Sequence, residues 1–157
     1  MLEVKTRGAR GETAKDRLPY AIGVRRHLTP AALAFVTERV MLEHGGRELA
    51  PVLETTYRRA TLLDAAAGVR LTVDADLVCT APDGRALWLP DHLLVETKST
   101  GAPTAADRVL WRMGHRPLAI SKFGVGMAGT DPSLAANRWR RPLQRWFVAP
   151  GPDGTAA

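Results

Sequence analysis

Charged residues alternate along four segments of this chain: Glu3, Lys5 and Arg7 in MLEVKTR, Tyr57 and Arg59 in TTYRRA, Arg70, Thr72, Asp74 and Asp76 in VRLTVDAD, and Glu96 and Lys98 in LLVETKS. Residues i and i+2 leave a strand on the same side. Each segment read as a strand therefore carries one face of mixed charge, and the opposing positions (Leu2 and Val4; Val69, Leu71 and Val73; Val95) are mainly apolar. One such face describes a solvated sheet surface, but four in a short chain describe a shared interior lined with cations. Lys122, preceded by Ser121, adds another cation near the end of the ordered pattern. Guanidinium grips phosphate oxygens with paired hydrogen bonds and ammonium acts as a compact charge, so such an interior suits a linear chain of phosphates. Unpaired buried cations are costly, and an anion relieves them. Glu3, Asp74, Asp76 and Glu96 are the oxygen ligands that Mg²⁺ or Mn²⁺ would use while bridging to phosphate. Phosphoryl transfer depends on position and charge stabilisation, and this set provides both without a covalent nucleophile.

The elements that must position these residues can be read in order. MLEVKTR is a strand from the first residue, which leads us to expect that preceding strands of the sheet are absent from this chain. GARGE is a turn, and TAKDRL pairs back as a short strand before Pro19 interrupts it. Thr29 and Pro30 open a helix as N-cap and first helical residue, expected to run to about His44 before Gly45-Gly46. From Leu49 the pattern is β: a long antiparallel hairpin through DAAAG, a turn at Pro82-Asp83-Gly84, then RALWL and HLLVETKS. Thr104 to Met113 is a short helix stopped by Gly114, and PLAISKFGVGMA is expected to carry a last short strand into a glycine-rich connection. Beyond Asp131 no element is assigned.

The fold class that follows is α+β, an antiparallel barrel with flanking helices. A tunnel-like domain occupies residues 1–130, and an Arg/Trp segment and disordered tail follow at 131–157. The 157 residues include 45% hydrophobic and 24% charged residues, which is ordinary for a chain that buries a core. The formal charge of +6 favours polyanionic partners. One cysteine, Cys79, excludes an internal disulfide and a cysteine-based metal site. The four histidines (His27, His44, His92 and His115) have no metal-ligand spacing. With no apolar run of membrane-spanning length and no secretory leader, the expected location is the cytoplasm, with docking at a membrane surface as a further option.

At LEVKTR, AKDR, TTYRRA, VRLTVD, LVETKS and ISKFGVG, over residues 2 to 126, the sequence resembles the polyphosphate polymerase domain of the vacuolar transporter chaperone (VTC) type, in the triphosphate tunnel metalloenzyme superfamily. The resemblance implies transfer of the γ-phosphate of ATP onto a growing polyphosphate chain with Mg²⁺ or Mn²⁺. Carried over by position, Lys5, Arg59, Arg70 and Lys122 are the catalytic cations, and Lys15, Arg17, Tyr57, Lys98 and Ser121 contact substrate. Glu96 is the metal ligand. Family tunnels close with about eight strands, and nothing here matches the part of the family domain that precedes LEVKTR. Three explanations stand open: a misplaced start or truncated gene, a second copy or partner chain (in a membrane-associated complex, for example) that completes the barrel, and a degenerate half-domain that no longer catalyses. Two readings stand beside it. The same residues could form a polyphosphate- or triphosphate-binding module or a triphosphatase. The segment RWRRPLQRW (138–146) interleaves Arg with Trp, a pattern that binds nucleic acid through backbone contacts and stacking, or else packs its Trp side on the fold.

Overall fold

The computed structural model describes residues 1–7, 13–41, 49–99 and 101–149. The turn expected at 8–12, the expected helix end at Leu42 to Gly46 and the tail from 150 lie outside the described residues. The chain divides into two compact units, Met1–Pro51 and Val52–Ala157. The architecture is α+β, and among the described residues the strands form a two-stranded and a four-stranded antiparallel sheet, with no closed barrel. No described helix is long and apolar enough to cross a membrane.

In the first unit, β1 (Leu2–Arg7) pairs with β2 (Thr13–Leu18) in a register that sets Glu3 opposite Arg17 and Lys5 opposite Lys15. Directly paired residues project from the same face, so these four share one side while Val4, 8% exposed, turns to the other. Helix α1 (Pro30–Thr37) starts as its sequence predicts, with Pro30 at its first position and the Thr29 hydroxyl accepting from the Ala32 N–H. It ends at Thr37, well short of His44.

The second unit is built on β4 (Val69–Thr80), which pairs along one edge with β3 (Glu54–Asp64). Its other edge is shared by two shorter strands, β5 (Ala86–Leu89) against Leu77–Thr80 and β6 (Leu94–Lys98) against Arg70–Asp74. Between these halves the register of β3 and β4 shifts, and Asp76 adopts φ 54°. Asp tolerates this left-handed conformation better than most residues, and the extra residue forms a β-bulge. The bulge corrects the strict period-two reading. Asp76 leaves the row of Arg70, Thr72 and Asp74 and pairs at the surface with Arg58, and Leu77 and Cys79 take over the buried side instead.

The core thus lies on the same side of β4 as the charged row, farther along the strand. Leu77, Cys79, Leu87, Leu89, Val125 and Phe147 form it. Two helices supply its cover, α3 (Lys122–Thr130) and α4 (Arg140–Trp146). Both correct the sequence expectations. Residues 117–120 form no strand, and KFGVGMAGT is a helix capped by the Ser121 hydroxyl, which accepts from the Gly124 N–H. Its three glycines are sites of close approach, since a Cβ at Gly124 would lie 2.5 Å from the Trp139 ring, at Gly126 2.6 Å from Leu53 and at Gly129 2.5 Å from Leu87. Trp139, Leu143 and Trp146 pack on this core, so the Arg/Trp segment is an amphipathic helix with its aromatic side turned inward.

Helix α2 (Ala105–Arg112) spans most of the predicted 104–113, and Gly114 follows it at φ 86°. Thr104 and Asp107 form a capping box, and Asp107 also accepts from the Thr97 hydroxyl at 2.6 Å, which ties the helix to β6. Thr97 lies opposite Leu71, so α2 stands on the face away from the charged row.

Candidate functional site

Rows of β3, β4 and β6 define the charged face of the second unit. Arg59, Asp74 and Leu94 form one row, Thr61, Thr72 and Glu96 the next, and Leu63, Arg70 and Lys98 the third. Asp74 is the most buried of them, its side chain 1% exposed. Arg59 grips it with two hydrogen bonds, Nε to Oδ1 at 2.6 Å and an Nη to Oδ2 at 2.8 Å. Lys122 Nζ reaches Oδ2 at 2.6 Å from the first residue of α3. The α3 fold that sequence reading missed is therefore what delivers Lys122 to the sheet.

These contacts set the electrostatics. Hydrogen bonds from Arg59, and then from Lys122, hold the Asp74 carboxyl below its ordinary range even though burial opposes its charge. The same pair raises the pKa of Arg59. Tyr57 faces both cations, with the Arg59 guanidinium 5.0 Å and Lys122 Nζ 4.9 Å from its ring centroid, at cation–π range. Cys79 lies close by, its Sγ 3.9 Å from the Lys122 carbonyl oxygen, and burial pushes its thiol up to about 11. It is a packing residue rather than a nucleophile at neutral pH.

Farther along the face, Lys98 Nζ and Glu96 Oε1 are 3.0 Å apart and both side chains are about half exposed. Of the expected metal ligands on this face, Asp74 has both oxygens bonded to Arg59 and Lys122, whereas Glu96 has one oxygen paired with Lys98. Asp74 does not act as the free metal ligand its type suggested, and Asp76 stands off the face. Among the described residues no group of three or more His, Cys, Asp or Glu side chains could hold a metal. Glu96 could give one oxygen ligand to Mg²⁺ or Mn²⁺, which would have to draw its other ligands from phosphate oxygens and water, as Mg²⁺ at phosphates usually does.

In the first unit Glu3 takes the part that Asp74 plays in the second. Its carboxylate lies between Arg17 Nε at 2.7 Å and Lys5 Nζ at 3.2 Å. Hydrogen bonds from Arg17, then Lys5, lower its pKa. Lys15 stands exposed on the same face, opposite Lys5. The structure thus groups Lys5, Lys15 and Arg17 on one sheet and Tyr57, Arg59, Arg70, Glu96 and Lys98 on the other, which Lys122 reaches from α3. Ser121 sits beside the second group as the α3 cap.

The sequence model of the VTC domain family matches residues 1–130, which include every residue of both groups. The chain belongs to the VTC domain family. No curated protein and no solved structure matches it. In this VTC domain Asp74 keeps the row that the sequence predicts but serves as the counter-ion of Arg59 and Lys122. The signal available was its i+2 spacing from Thr72 on a face rich in arginine, which signals ion pairing as readily as metal binding.

Proposed function

We propose that this VTC domain binds polyphosphate on its cationic sheet faces and extends it by transfer of the ATP γ-phosphate. Membership of the VTC domain family supports a polyphosphate-related function. The observation that carries the reading is the clamp on Asp74. One buried carboxylate fixes Arg59 of β3 and Lys122 of α3 beside Tyr57, with Arg70 and Lys98 on the same face. Two cations held by one carboxylate keep a net positive charge and defined directions, so an arriving phosphate meets donors already in position. Mg²⁺ or Mn²⁺ at Glu96 would supply charge neutralisation between neighbouring phosphate oxygens. Lys5, Lys15 and Arg17 offer phosphate-binding cations on the sheet of the first unit, and Ser121 keeps its hydroxyl proton available for donation while its oxygen caps α3.

The test is to incubate the protein with ATP and Mn²⁺ and follow polyphosphate chain growth against phosphate release. Chain growth lost in Arg59→Ala and Lys122→Ala supports the polymerase reading. If the protein binds neither polyphosphate nor tripolyphosphate by calorimetry at low salt, the reading is wrong.

One observation favours a second reading, a binding module or triphosphatase. Glu96 is paired with Lys98, and among the described residues no other free carboxylate stands near it on this face. Binding with no turnover would select the module, and phosphate release without chain growth the triphosphatase. Nucleic-acid binding through residues 138–146 loses its stacking partners, because Trp139 and Trp146 pack on the core.

A further inference from the structure

Thr72 occupies the middle of the charged face of the second unit. Thr61 and Glu96 flank it in register, Arg70 and Asp74 stand two residues away along β4, and Arg59 and Lys98 take diagonal positions. The residue is 6% exposed, and its Oγ1 is buried with no hydrogen-bond partner among the described residues. Buried hydroxyls are almost always paired, and one left unpaired destabilises the fold. Valine has nearly the same shape, favours strands and carries no such penalty. A threonine at this point therefore fits a partner that arrives with the ligand.

The surrounding chemistry identifies that partner as an anion. Arg59 and Lys122 are bonded to Asp74, and Lys98 is bonded to Glu96. An incoming phosphate shares or displaces carboxylates at each of those cations, so part of each new contact is offset by a weakened old one. The Thr72 hydroxyl gives up no bond within the fold. We propose that the Thr72 hydroxyl donates a hydrogen bond to a phosphoryl oxygen of the bound chain, seating one phosphate at the centre of the face. The proposal rests on the reading of this face as a polyphosphate site.

Calorimetry with inorganic tripolyphosphate tests it in the full chain. Thr72→Val is expected to bind about tenfold more weakly, the scale of a hydrogen bond to a charged group. Thr72→Ser, which keeps the hydroxyl, stays within about twofold of the parent because the lost methyl group makes no bond to the ligand. Unliganded Thr72→Val is expected to melt no lower than the parent, since the hydroxyl has no partner to lose. The proposal is overturned if Thr72→Val binds as tightly as the parent. It is equally overturned if unliganded Thr72→Val melts lower and Thr72→Ser loses affinity to the same extent, the signature of a structural role. Arg59→Ala separates this failure from failure of the site: if Arg59→Ala weakens binding and Thr72→Val does not, only the role of Thr72 is wrong. If neither changes binding, the phosphate face itself is wrong.

Discussion

Asp74 governs the candidate site at the scale of single residues, because both cations nearest Tyr57 depend on it. Asp74→Asn keeps the shape and removes the charge, leaving Arg59 and Lys122 without their shared counter-ion. Losing one member of a buried ion pair costs about 3–5 kcal/mol. Arg59 is 38% exposed, so solvent screening reduces this to about 2–3 kcal/mol. Urea denaturation at neutral pH measures the difference. The pH dependence has a definite sign. The folded carboxyl titrates below its ordinary 3.8, so its contribution is complete above that value and disappears as acid drives the pH through the lower folded pKa. The parent should lose stability more steeply below pH of about 4 than Asp74→Asn does, and parallel curves would show that folding does not lower the Asp74 pKa.

Element α3 depends on glycine for its position. Each glycine in a helix interior costs about 1 kcal/mol relative to alanine, and KFGVGMAGT contains three within one short helix. Sequence reading consequently favoured a connection there, and only the closeness of Trp139, Leu53 and Leu87 explains the helix. Gly126→Ala is expected to be destabilising despite alanine's better propensity. Its Cβ would lie 2.6 Å from Leu53 Cδ2 and 2.9 Å from Cys79 Sγ, and overpacking of this kind costs about 1–3 kcal/mol. A raised melting temperature would contradict this account. Helix α2 shows the opposite case, since Thr104, Asp107 and Gly114 mark both ends in the sequence. Thr104→Ala removes the hydroxyl that accepts from the Asp107 N–H and donates to its carboxylate. The expected loss is about 1 kcal/mol, read from the shift in thermal unfolding.

For the whole molecule the governing quantity is charge. With 22 Lys and Arg against 16 Asp and Glu and several of the cations gathered on sheet faces, the proposed polyanion binding would be electrostatic in origin. Tripolyphosphate affinity should fall by roughly tenfold or more between about 50 and about 200 mM salt, because exposed cations such as Lys5 and Lys98 are screened within a Debye length of about 10 Å. Affinity independent of salt would point away from the cationic faces. Calorimetry at the two salt concentrations decides it.

The amino-acid order alone determined the β1–β2 and β3–β4 hairpins, the start of α1, both ends of α2 and the charged sides shared by Glu3 and Lys5, by Arg70, Thr72 and Asp74, and by Glu96 and Lys98. Those features follow from local periods and capping chemistry, which act over a few residues. Family membership was legible for the same reason, since short motifs in a fixed order carry it. The tertiary structure decided the rest. It placed a bulge at Asp76 that moved this carboxylate off the face, and it folded α3 so that Lys122 meets Asp74 across 48 residues of chain. It also packed Trp139 and Trp146 against the core. Each outcome depends on contacts between distant segments, where packing overrides local preference. Asp74 could thus be read from the sequence as a member of the charged row, but its two cations, and the unpaired hydroxyl of Thr72 beside it, could be read only from the fold.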